Sequence, residues 1–129
     1  AQQLSMRSGD GWEMYVDGCA LVAVFREDMP VEDDVFARVN EEFEALASQS
    51  EVDTHVSVLR MDSPMGSAVF ERAQEGARIG TEFGIDHWIV VSEDLKSIAL
   101  RGRVGEIEGV EVDTTDSVDE ALAMAEANQ

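Results

Sequence analysis

One cysteine, two prolines, two histidines and 6% aromatic residues leave this 129-residue chain with few of the groups that usually mark a site. Cys19 has no second cysteine to pair with, which excludes an intramolecular disulfide. It stands in an apolar run and reads as a small buried hydrophobe, because a reactive thiol needs a basic neighbour and none is near in sequence. Thiol usage of this kind suits a reducing cytoplasm. No stretch approaches the roughly 18 apolar residues of a membrane helix. The opening Ala1-Gln2-Gln3 has neither the basic nor the apolar region of a signal peptide. There is no Gly-rich phosphate loop, since Gly66-Ser67 alone is too little, and no Gly-x-Ser-x-Gly elbow. His55 and His87 fall in different segments without Cys or carboxylate ligand spacing, so both read as structural histidines. No metal, cofactor or catalytic constellation is expected.

Basic residues are the other scarcity. Nine Lys and Arg, of which only Lys96 is lysine, face 28 Asp and Glu, for a net charge of -19. A folded monomer of this mass exposes roughly 6,700 Å², so acids lie about 15 Å apart on its surface. At ~0.01 M salt the screening length is about 30 Å and each acid feels several others; near 1 M it is about 3 Å and they act independently. Self-repulsion on this scale favours work in concentrated salt, as in the cytoplasm of a salt-in halophile, archaeal ones included. Nucleic acid and anionic membranes are disfavoured as partners, because no basic patch exists to neutralise phosphates.

What is present is a regular alternation of apolar segments. Forty-four per cent apolar residues in 129 positions give one core and one domain over 12–129, preceded by a polar, flexible segment over 1–11. Trp12, Met14 and Val16 alternate with polar residues as a half-buried strand does. Asp17-Gly18 is a hairpin turn, and Cys19 to Phe25 is a central strand covered on both faces. Met29-Pro30 opens a helix with Glu32, Asp33 and Asp34 at its dipole's positive end. Its apolar stripe is Val31, Val35, Phe36, Val39, Phe43 and Leu46; Glu41, Glu42 and Glu44 form a solvated acidic face.

The stretch from Asp53 to Asp86 organises the rest. Thr54 to Met61 is a strand with Val56 and Val58 on one side and His55, Ser57, Leu59 and Met61 on the other. Asp62-Ser63-Pro64-Met65-Gly66 connects it to a helix from Ser67 to about Phe83, with Ser67 as N-cap and Gly84 as C-terminal cap. Gly76 and Gly80 share one helix face at a cost of about 1 kcal/mol each, so either close packing or a ligand must require them. His87 to Val91 is a second buried strand, Leu95 to about Val104 a helix, and Gly109 to Asp113 a short strand. Ser117 and Glu120 make a capping box for the last helix. The order β-β-α-β-α-β-α-β-α predicts a mixed, mostly parallel five-stranded sheet with four helices.

An aromatic-led first strand, the Gly turn, "HWIVVSED" and "GVEVDTTDSVDEALAMAEA" resemble the SpoIIAA-like group, which includes STAS domains (sulphate transporter and anti-sigma factor antagonist). The resemblance runs over about residues 12 to 126. It implies a non-enzymatic regulatory module that binds a partner protein, a second copy of the chain included. It also implies a phospho-acceptor serine after the central strand, where Asp62 and Ser63 match the family's opening pair, Pro64 and Met65 depart from it, and Ser67 follows. The alternative is a module carrying a small apolar ligand near 61–80, in a pocket lined by Met61, Met65, Phe70, Gly76 and Gly80. Catalysis ranks third, and an internal pocket holding a carboxylate or His55 with a strongly shifted pKa is the observation that would raise it.

Overall fold

A computed structural model describes residues 6–30, 32–49, 51–61, 66–92 and 96–127. Six strands and four helices follow one another: β1 (Met6–Gly9), β2 (Trp12–Asp17), β3 (Ala20–Phe25), α1 (Asp33–Gln49), β4 (Thr54–Leu59), α2 (Ser67–Glu82), β5 (His87–Val91), α3 (Lys96–Val104), β6 (Glu111–Thr115) and α4 (Val118–Ala127). The strands lie side by side in chain order. β1, β2 and β3 pair antiparallel, whereas β3 to β6 are parallel. Among the described residues no helix is long and apolar enough to cross a membrane.

Each new parallel strand is added on the same side of the last. Right-handed crossovers then deliver their helices to a single face, and α1, α2 and α3 do share one. Phe36, Val39, Phe43 and Leu46 of α1, Val69 and Ala77 of α2, and Leu100 and Val104 of α3 meet Met14, Leu21, Phe25, Leu59, Trp88 and Val90 of the sheet. The opposite face, built on Val22, Val56, Val58, Ile89 and Val91, is covered by Ala121 and Ala125 of α4. β3, β4 and β5 are therefore enclosed on both sides, which is why β3 and β5 read as near-continuous apolar runs, while β4 buries Thr54, His55 and Ser57 among its apolar residues.

The sheet has six strands where the sequence predicts five. The extra one, β1, lies in the segment expected to be flexible, and residues 1–5 are outside the described residues. Its polar composition suits an edge strand. The Trp12 ring lies over Gly9, where a Cβ would stand 2.5 Å from it. Arg7 ties the strand to Glu42 of α1 at 3.1 Å.

Other boundaries shift. α1 begins at Asp33, after Pro30 rather than at it, and Val31 lies outside the described residues. β6 sits two residues later than predicted. Leu95 also lies outside the described residues. Asp17 pairs with Ala20, so the turn is Gly18-Cys19, and the Cys19 thiol donates to the Ala125 carbonyl at 3.6 Å.

The caps divide. Ser67 is the first helical residue of α2 instead of its cap; the N-cap is Gly66, with no side-chain hydrogen bond. Ser117 does cap α4, accepting from the Glu120 N–H at 3.3 Å. The Glu120 carboxylate accepts from the Thr115 hydroxyl instead of completing the box. At the end of α2, Gly84 takes φ 87° and donates to the Thr81 carbonyl at 3.3 Å, while Ile85 reaches back to the Gly80 carbonyl at 2.9 Å. This is the Schellman closure that a glycine after the helix permits.

Candidate functional site

The alternation along β4 puts His55 and Ser57 on the face that α1 and α2 cover. Both side chains are buried, at 4% and 2% exposure, at a depth where most neighbours are apolar. Their polar atoms find each other: Ser57 Oγ lies 2.8 Å from His55 Nε2, and His55 Nδ1 lies 2.9 Å from the Leu21 carbonyl oxygen on β3. A carbonyl can only accept, so Nδ1 carries the proton and Nε2 accepts from the serine hydroxyl. The imidazole sits between two rings, edge-on to Phe43 at 4.9 Å and to Trp88 at 4.5 Å. Burial penalises the imidazolium and takes the His55 pKa down from 6.5 to about 4, with the Leu21 carbonyl opposing part of the shift.

These residues line a cavity of ≈ 40 Å³ between the sheet and the α1–α2 pair. Apolar walls come from Phe25, Phe36, Phe43, Leu59 and Val69, and Leu100 of α3 adds to them. Asn40 and Arg72 contribute polar atoms where the two helices meet. Trp88 also lines it, and its Nε1–H is buried with no hydrogen-bond partner among the described residues.

Gly76 lets the helices approach here. A Cβ at Gly76 would come within 2.9 Å of Asn40 Oδ1, whereas one at Gly80 would meet Ile85 at 3.3 Å and Phe43 at 3.4 Å. Both glycines thus serve close packing, and Gly76 is also part of the cavity wall.

Arg72 stands at the boundary between inside and outside. It lines the cavity and also a surface cleft with Asp33, Ala68, Glu71 and Glu75. Its guanidinium donates from Nε to Asp33 Oδ1 at 2.8 Å, from Nη2 to Asp33 Oδ2 at 3.2 Å and from Nη1 to Glu75 Oε1 at 3.1 Å. Asn40 Nδ2 donates to the same Glu75 oxygen and to the Arg72 carbonyl, each at 2.9 Å. The Arg72 hydrogen bond holds the Asp33 carboxyl below its usual range, and Asn40, then Arg72, do so for Glu75. The same carboxylates raise the pKa of Arg72.

The residues singled out in the sequence scatter around this site. Asp62, Ser63 and Met65 lie outside the described residues. Ser67 is exposed in the first turn of α2. Met61 is buried in the core, and Phe70 is half-buried beneath the Arg103 guanidinium, 5.3 Å from its ring centre. Of the four described residues expected to line a pocket, Met61, Phe70, Gly76 and Gly80, Gly76 lines this cavity. The cavity's other polar residues were not singled out as a set, although His55 and Ser57 share a strand face in the sequence. His87, read as lacking a carboxylate, has one: its Nε2 is 2.7 Å from Asp113 Oδ2 across the β5–β6 pair. Neither a protein-family model nor a curated protein matches the chain.

Proposed function

We propose that the chain is a non-catalytic, STAS-like binding module that takes a small, mainly apolar ligand group into the cavity between α1, α2 and the sheet. The observation that carries this reading is Trp88, which lines this mainly apolar cavity and whose buried N–H has no acceptor among the described residues. A buried donor without a partner costs about 1–3 kcal/mol, which a ligand carbonyl, ether or hydroxyl oxygen would recover. At ~10–15 Å³ per water-sized group, ≈ 40 Å³ admits about three such groups. A larger ligand enters by its tip and leaves past Asn40 and Arg72.

The cavity does hold His55 with a strongly lowered pKa, the observation expected to raise catalysis, yet binding is preferred on chemical grounds. Ser57 and His55 make the contact of a nucleophile and its base. A histidine with a pKa of about 4 is a weak base at neutral pH, and a backbone carbonyl, not a carboxylate, holds its second nitrogen. Native mass spectrometry of freshly purified protein, kept in molar ammonium salt until injection, tests the reading. Extra mass on the wild type that is lost in Trp88→Phe supports it; a clean apo mass for the wild type sinks it.

A second reading follows the family resemblance: a regulatory module of a high-salt cytoplasm, controlled by phosphorylation after β4. Ser67 is exposed where the N-terminus of α2 has no side-chain cap, a setting in which phosphate oxygens meet free N–H groups. Pull-down in molar KCl with wild type, Ser63→Asp and Ser67→Asp tests it. Identical or empty partner lists count against regulation there.

A further inference from the structure

On the sheet face away from the cavity, the β5–β6 register places His87 opposite Glu111 and Ile89 opposite Asp113. Alternation sends all four side chains to the same side. One nitrogen of His87 and one carboxylate oxygen each from Glu111 and Asp113 lie within 4.8 Å of one another. Repulsion turns exposed neighbouring carboxylates outward, and here two of them converge on one imidazole. The His87 side chain is only 6% exposed, while that of Asp113 is 43% exposed. The ring is thus held by the fold, and the carboxylates are free to adjust. An open cleft lined by Asp86, His87, Gly109, Val110 and Glu111 leads to the site from solvent.

We propose that His87, Glu111 and Asp113 bind one divalent transition-metal ion of the zinc type. One imidazole with two carboxylates is a borderline donor set, which favours zinc or cobalt over magnesium and calcium, whose sites are built from oxygen alone. Metal–ligand bonds of about 2.0–2.2 Å in a tetrahedron place the donor atoms ~3.4 Å apart. His87 Nε2 and Asp113 Oδ2, now 2.7 Å apart through a shared proton, separate by about 0.7 Å as the ion takes the proton's place. No pair has to close by more than about 1.4 Å from the 4.8 Å limit, which rotation of the exposed Glu111 side chain supplies. Three protein ligands leave the fourth position to water or a small anion.

A surface this acidic collects cations loosely, so the experiment separates a site from an atmosphere. Zn²⁺ is titrated calorimetrically into metal-free protein in molar KCl with millimolar Mg²⁺ present, and Co²⁺ absorbance reports coordination geometry. The expected result is one equivalent bound, with the intense visible band of four-coordinate cobalt. Glu111→Gln, at an exposed position that leaves the fold intact, weakens binding at least 10-fold, and His87→Gln, checked for folding by circular dichroism, removes it. Several weak equivalents displaced by Mg²⁺, an octahedral cobalt spectrum, or unchanged affinity in Glu111→Gln would each overturn the proposal. The site is independent of the cavity, so Trp88→Phe leaves metal affinity unchanged.

Discussion

Replacing His55 with glutamine changes how the fold responds to acid, and the size of the change follows from the burial of the ring. In the folded chain His55 titrates near pH 4, against 6.5 when unfolded. A depressed pKa means that the unfolded state takes up the proton first. The contribution of neutral His55 to stability is therefore fully present above pH 6.5 and is lost as pH falls toward 4. At ~1.4 kcal/mol per pH unit the total is about 3 kcal/mol, of which about 2 kcal/mol has gone by pH 5. The carboxylates with lowered pKa, Asp33 and Glu75, lose their contributions further into acid, below their unfolded values of 3.8 and 4.5.

Chemical denaturation of wild type and His55→Gln at pH 8, 7, 6 and 5 in molar KCl isolates the effect. Charges elsewhere titrate alike in both proteins and cancel in the difference. The expected outcome is that the wild type loses about 2 kcal/mol more than the variant between pH 8 and pH 5. A difference that stays flat to within about 0.5 kcal/mol would show that His55 is not held neutral in an apolar site.

Four further outcomes are expected. Gly76→Ala should destabilise by about 1–2 kcal/mol despite a gain in helix propensity of about 1 kcal/mol, because its Cβ meets Asn40 Oδ1 at 2.9 Å. Gly102→Ala in α3, where nothing lies within 4 Å, should stabilise by about 0.4–1 kcal/mol; thermal melts of the pair read both signs. Ser117→Ala should cost about 1 kcal/mol through the lost α4 cap, measured by urea denaturation. Transfer from molar to millimolar KCl should reduce the helical circular dichroism signal, because 28 acids against nine bases lose their screening; full structure in dilute buffer would refute the halophile reading.

β3 and β5 were legible because near-continuous apolar runs have no other explanation, and β4 because Val56 and Val58 alternate with His55, Ser57 and Leu59; all three lie within about a residue or two of their predicted places. β1 was missed although Asp10-Gly11 is the same dipeptide signal as Asp17-Gly18. An edge strand gains pairing without needing an apolar sequence, and its polar residues resembled a frayed end. Ser67 looked like a cap because serine prefers that role, but it is the first helical residue and the cap falls one residue earlier, on Gly66.

The site divides in the same way. His55 and Ser57 share a face by period two, so their meeting was implicit in β4. That they share a cavity with Trp88, Asn40 and Arg72 depends on how β5, α1 and α2 are stacked, which no local pattern encodes. His87 and Asp113 are 26 residues apart, and the parallel register that joins them is a property of the finished sheet.

The consecutive strand order has a consequence during synthesis. Every strand can dock on one already made as the chain leaves the ribosome, so the sheet is able to grow from its amino end without waiting for a distant segment. The exception is the second face, whose cover is the last element to emerge. Until α4 arrives, Val22, Val56 and Ile89 have no shield from that helix. A nascent chain stalled before residue 118 would present a flat aliphatic surface to chaperones or to its neighbours on the same message.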